Sequence, residues 1–157
     1  MIEENLKALK NSIPAEVELI AVSKTKPNGA ILDAYDAGQR HFGENKVQEL
    51  VSKAEELPKD INWHLIGHLQ SNKVKYVAPF VHLIHAVDSL KLLKEINKQA
   101  AKHNRVINCL LQFHIAEEST KFGLSMEEAN SILHSEEFAE LENINIVGVM
   151  GMATFTS

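Results

Sequence analysis

With 157 residues, 45% of them hydrophobic, the chain can bury one sizeable core, which points to a single domain over 1–157. A formal charge of −5 and only two arginines, Arg40 and Arg105, speak against a nucleic-acid or membrane-surface partner, because polyanion binding draws on clustered Lys and Arg. The single cysteine, Cys109, excludes an internal disulfide and fits a reducing, cytoplasmic setting; no apolar run is long enough to span a bilayer, and the N-terminus carries acids where a signal peptide needs bases.

In chain order, Ile2, Leu6 and Leu9 sit at helical spacing before Pro14 and predict an amphipathic opening helix. "VELIAVS" (17–23) is apolar on both faces, as in a strand covered on both sides of a parallel sheet. Pro27 and Asn28 introduce a helical pattern that Gly38 stops. A short strand around "HFGEN" (41–45) precedes a helix from Lys46 to about Leu57, and "NWHLIG" (62–67) precedes one near Asn72 to Val77. "LIHAVD" (83–88) leads into the helix "SLKLLKEINKQAAKH", with Asp88 or Ser89 as its N-cap. "VINCLLQFHI" (106–115) is followed by a polar loop and then by the helix "SMEEANSILHSEEFAEL", where Ser125 and Glu128 fit a capping box. "INIVGVMGM" (144–152) is the sixth strand.

Alternating βα units predict a parallel sheet, either open and doubly wound or part of a (β/α)₈ barrel. A barrel needs eight units and roughly 200 residues, so a barrel reading leaves this chain without the last two.

On an extended chain Ile20, Val22 and Lys24 share a face, and active sites of parallel sheets gather at the carboxyl ends of strands. Lys24 is thus an inward-facing amine at the edge where chemistry collects. Partial burial disfavours an ammonium, and a neutral amine is what imine formation requires. Spacing alone favours the plainer reading, a lysine whose stem packs while its head reaches water. Pro27 places Lys26 in the loop, which makes it the weaker amine.

Asn45 ends the second strand and suits either a ligand contact or a helix cap. His64 and His68 have the spacing of helical metal ligands, but they fall on a strand and loop and lack a third partner, so no metal is expected. His82 and His85 read as ordinary surface or core residues, and Cys109 as packing. In the loop "EESTKFG" (117–123), Lys121 is a second candidate amine and Gly123 allows a tight turn or close ligand approach. Two glycines in "GVMGM" (148–152) suggest a bulge or close approach in the last strand. No phosphate-loop motif occurs, which weakens a nucleotide-binding reading.

"LIAVSKTKP", "AGQRHFGENKVQE", "WHLIGHLQSNKVKY" and "GVMGMATF", in this order and spacing, resemble the YggS/PROSC family of pyridoxal 5'-phosphate (PLP) homeostasis proteins. The resemblance implies a PLP-binding TIM barrel of the alanine racemase N-terminal type, of which this chain holds about the first six β/α units. It implies that Lys24 holds PLP as a Schiff base, and that Asn45, Met150 and, less directly, His64 approach the cofactor. It further implies intracellular PLP homeostasis without catalysis, PLP-dependent enzymes as recipients, and a monomer when the barrel is complete. The weaker alternative is a fold-type III PLP enzyme such as an amino-acid racemase. That activity needs a second proton-transfer group, and Tyr35 and Tyr76 both fall in helical patterns. The family's phosphate-gripping serine/glycine-rich and R-I-G segments have no match here, so the expectation is that this chain alone binds PLP weakly or not at all whereas the completed barrel binds it, with exposed sheet edges at the first and sixth strands.

Overall fold

In the computed structural model, which describes residues 1–115 and 123–153, alternation of strands and helices builds one parallel sheet of six strands in sequential order. The strands are β1 (Ala21–Val22), β2 (His41–Glu44), β3 (Asn62–Leu65), β4 (Leu83–Val87), β5 (Ile107–Phe113) and β6 (Ile144–Gly151). The helices are α1 (Ile2–Ser12), α2 (Asn28–Asp36), α3 (Val47–Glu56), α4 (Val74–Val77), α5 (Leu90–Lys102), α6 (Met126–Leu133) and α7 (Glu136–Ala139). Every neighbouring strand pair is parallel and the strand order follows the chain, as in the first six units of a (β/α)₈ barrel.

The core lies between the sheet and the helices. Phe42 and Leu65 on the strands share one buried cluster with Leu50, Val74, Leu93 and Ile96 on the helices, all essentially inaccessible to water. Cys109 is part of this layer, and burial pushes its thiol up to about 12, so it packs and does not react. In the opening helix only Leu6 is buried; Leu9, expected on the same stripe, is exposed.

Local chemistry explains where the elements differ from expectation. β1 is shorter than the apolar run 17–23 because the Leu19 carbonyl accepts its hydrogen bond from the Gln39 side chain, at 2.8 Å, instead of from a neighbouring strand. The predicted helix 125–141 is two helices. Ser135 interrupts it, donating to the Ile132 carbonyl (2.7 Å) while its Oγ accepts from Phe138 N–H (3.1 Å), which restarts a turn. The expected caps are present: Ser89 Oγ accepts from Leu92 N–H, and Ser125 and Glu128 form the reciprocal capping box. The β5–β6 register steps from Cys109–Ile146 to Leu110–Gly148, a bulge beside the first of the two glycines. Gly123 sits at φ +135, and a Cβ there would meet His114 N at 2.4 Å, so the tight turn is backbone against backbone. Lys121 lies outside the described residues.

Candidate functional site

The carboxyl ends of all six strands open onto one cleft of about 620 Å³. Lys24 enters it just after β1, Asn45 after β2, Ile66, Gly67 and His68 after β3, Ala86 from β4, Gln112 from β5, and Met150 and Met152 from the end of β6. Lys24 and Asn45 thus share a single lining with Met150, which lies more than a hundred residues further along the chain. Asn45 is not a helix cap: Lys46 occupies that position and α3 has no side-chain cap bond. Lys26 lies outside this lining, on an adjoining surface with Ile2, Ala30 and Phe42.

Two expectations change. Lys24 is exposed rather than partly buried, because β1 is a two-residue edge strand paired only with β2 among the described residues. Its ammonium group has no hydrogen-bond or ion-pair partner among the described residues, which leaves it directed to the open cleft. His64 does not line the cleft. It and Ile66 share one face of the chain, so Ile66 takes the rim and His64 sits one pleat deeper, about 6.6 Å along the strand. The close approach of two strand ends is fixed by Gly67, where a Cβ would meet the Asn45 carbonyl oxygen at 2.4 Å.

The turn carrying Lys24 is held from beneath by a polar cluster that the sequence reading passed over. Ser23 N–H bonds the Gly43 carbonyl (2.9 Å), extending the β1–β2 pairing by one residue, and Ser23 Oγ donates to the Glu44 carboxylate. Lys53, buried on α3, donates to the Ser23 carbonyl (2.7 Å), Glu44 Oε2 (2.8 Å) and Glu49 Oε2 (2.8 Å). Glu49 in turn accepts from Thr25 N–H at 2.7 Å. That bond steadies a threonine at φ 63, a left-handed conformation unusual for a β-branched residue. The Lys53 hydrogen bond, joined by the Thr25 amide, holds the Glu49 carboxyl below the ordinary carboxylate range, against a smaller opposing effect of burial. Glu49 and Lys53 are four apart on a helix, a spacing visible in sequence, but nothing in the pattern showed that Glu44 would lie fully buried beside them.

Below the cleft, from the middle of β3 and β4 toward the amino-terminal side of the sheet, lies a cluster of imidazoles. His41 Nε2 bonds the Glu18 carboxylate (2.6 Å), His41 Nδ1 faces His64 Nε2 (2.9 Å), and His64 Nδ1 faces His85 Nε2 (2.9 Å). His82 leans on both His41 and His64, its ring centroid 5.4 and 5.2 Å from theirs. Burial, reinforced by the neighbouring His85, His82 and His41, pushes the His64 pKa down to about 3, so this ring is neutral near neutrality.

Residues 1–156 match the family described as alanine racemase, N-terminal domain. The pyridoxal phosphate homeostasis protein of Escherichia coli (strain K12) is 39% identical over 143 residues, which take in 88% of this chain and 60% of that protein. Its counterpart in Aquifex aeolicus (strain VF5) is 40% identical over 134 residues, 85% of this chain and 58% of that protein. The chain therefore spans about three fifths of the length of these curated relatives. Among solved structures, PipY of Synechococcus elongatus PCC7942 with PLP bound has a TM-score of 0.88 at 37% identity, covering 100% of this chain and 73% of that one. Alanine racemase of Clostridium difficile 630 has a TM-score of 0.75 at 15% identity, covering 99% of this chain and 40% of that one, and shares the fold. The chain belongs to the alanine racemase N-terminal domain family, and the pyridoxal phosphate homeostasis proteins are the similar relatives that its four sequence motifs pointed to.

Proposed function

We propose that the strand-end cleft holds PLP on Lys24, and that the chain serves PLP homeostasis rather than a reaction of its own. The observation that carries this reading is Lys24 itself: an amine with no partner among the described residues, on the rim of the cleft into which the carboxyl ends of six parallel strands open. When bound, PLP supplies an aldehyde that condenses with a primary amine. The residues present fit a flat, polar-edged ring: Val22, Ile66, Met150 and Met152 offer apolar contact, while Asn45 and Gln112 offer hydrogen bonds. The names of the 39–40% identical relatives, and the PLP in the PipY structure, support the same assignment.

The lining supports binding without turnover. Apart from Lys24, the only titratable side chain among the described lining residues is His68, and no tyrosine is present. A racemase needs two proton-transfer groups facing its substrate, so a reaction here would have to set His68 against Lys24. On this reading the held cofactor is passed on to PLP-dependent enzymes. Borohydride reduction with PLP, followed by peptide mapping, tests the anchor: a pyridoxyl group on the Lys24 peptide, lost in Lys24→Ala, is expected. Labelling spread over surface lysines refutes it. Lasting Cα deuterium exchange into amino acids at enzymatic rates would establish the racemase alternative.

A further inference from the structure

We propose that His41, His64 and His82 form a binding site for one divalent transition-metal ion of the zinc type, on the amino-terminal side of the sheet below the cleft that Lys24 lines. Each of the three contributes a ring nitrogen lying within 4.8 Å of the other two. They come from three consecutive strand regions: His41 opens β2, His64 lies within β3, and His82 immediately precedes β4. The sheet fixes their spacing through the His41–Asn62 and His64–Leu83 register and the His82 N–H bond to the Trp63 carbonyl at 2.8 Å. Donors mounted on paired strands are preorganised in a way that loop donors are not.

The nitrogens pointing away from this centre are already held. Glu18 accepts from His41 Nε2 at 2.6 Å, and His85 Nε2 lies 2.9 Å from His64 Nδ1. A ligating histidine ordinarily has its second nitrogen tied to a carboxylate or another polar group, which orients the ring and raises its basicity. Two of the three rings here meet that condition. His82 is exposed, and its ring makes no hydrogen bond among the described residues, so it leaves a donor free and a path open to solvent. Three histidines with water in the fourth position make an open tetrahedral zinc set.

The rearrangement required is small. Without metal, each ring of the His41–His64–His85 chain can donate through Nε2, His41 to Glu18, His64 to His41 and His85 to His64. Metal binding moves the His64 proton to Nδ1 and reverses its bond to His85, which then carries its own proton on Nδ1. His41 Nδ1 and His64 Nε2 are freed for the ion, and no net proton is gained or lost. The 2.9 Å between these two nitrogens must open to about 3.3 Å to suit tetrahedral bonds of about 2.05 Å.

The test titrates chelator-treated protein with Zn²⁺ by calorimetry and with Co²⁺ by visible absorption. One ion per chain with a tetrahedral cobalt spectrum is expected. His82→Ala and His82→Gln, at an exposed position that circular dichroism checks for folding, are expected to weaken zinc binding at least tenfold. His134→Ala, on the distant α6 end, and Lys24→Ala, in the cleft, are expected to bind zinc like the parent. Absence of saturable binding, unchanged affinity in both His82 variants, or loss in Lys24→Ala or His134→Ala overturns the assignment.

Discussion

Lys53 Nζ donates to the Ser23 carbonyl at 2.7 Å, so the residue preceding Lys24 is fixed by a buried ammonium carried on α3. The same ammonium bonds Glu44 on β2 and Glu49 on its own helix. A helix, a strand and the lysine-bearing turn are therefore joined at one charged atom. The exposed lysine owes its position to the buried one.

Removing that atom should cost far more than a surface charge. Lys53→Met takes the ammonium away from the fully buried Glu44, leaving it beside the Ser23 hydroxyl and the Glu49 carboxyl, and Glu44 Oε1 already has no partner among the described residues. Breaking a buried pair in this way costs roughly 3–5 kcal/mol. Urea unfolding should show that loss in the single variant and recovery of most of it in Lys53→Met/Glu44→Leu, where no buried charge remains. A double variant no more stable than the single one would show that the Lys53 contact with Ser23, rather than charge compensation, carries the stability.

Acid should loosen the turn through Glu49. Its carboxyl is held below the ordinary value of 4.5, chiefly by the Lys53 hydrogen bond. The unfolded chain thus takes up that proton before the folded one does. The stabilising contribution is complete above about pH 4.5 and is lost as pH falls through the lower folded value. Urea midpoints followed from neutrality to about pH 3 should fall less steeply for Glu49→Gln than for the parent. Parallel curves would mean that the carboxyl titrates alike in both states.

Gly67 sets how closely two strand ends approach in the cleft. In Gly67→Ala the new Cβ meets backbone, the Asn45 carbonyl oxygen at 2.4 Å, and no flexible side chain can yield. Overpacking of this kind costs roughly 1–3 kcal/mol. Because Asn45 lies in the lining, PLP uptake should weaken together with thermal stability. A stability loss with undiminished uptake would show that Asn45 does not touch the cofactor.

Much of the fold was legible because parallel strands covered on both faces read as unbroken apolar runs, and "LIHAVD" and "VINCLLQFHI" both became strands. Boundaries were lost where side chains took over backbone hydrogen bonds, as Gln39 does at Leu19 and Ser135 does inside the last helical run. In the site, Lys24 and Asn45 were legible because strand-end position is a local property of sequence, whereas Met150 was legible only through the family resemblance; the structure brings all three to one lining. The Ser23–Glu44–Lys53–Glu49 and histidine clusters were not legible, because each joins strands or helices across the fold. His64 illustrates the limit: its motif is recognisable, but only the pleat shows that it sits one step below the cleft, among other histidines.

Lys24 itself should be separable from the stability of the fold. Its side chain is exposed and its ammonium has no partner among the described residues, so Lys24→Arg and Lys24→Ala remove no buried contact. Exposed substitutions of this kind usually change stability by about 0.5 kcal/mol or less. Arginine keeps the positive charge but replaces the primary amine with a guanidinium, which does not condense with an aldehyde under these conditions. Thermal unfolding without PLP should therefore be indistinguishable among parent, Lys24→Arg and Lys24→Ala, while the borohydride-fixed adduct disappears in both variants. An adduct retained in Lys24→Arg would place the anchor on another amine. A large stability loss in either variant would show that Lys24 makes contacts that hold the turn in place.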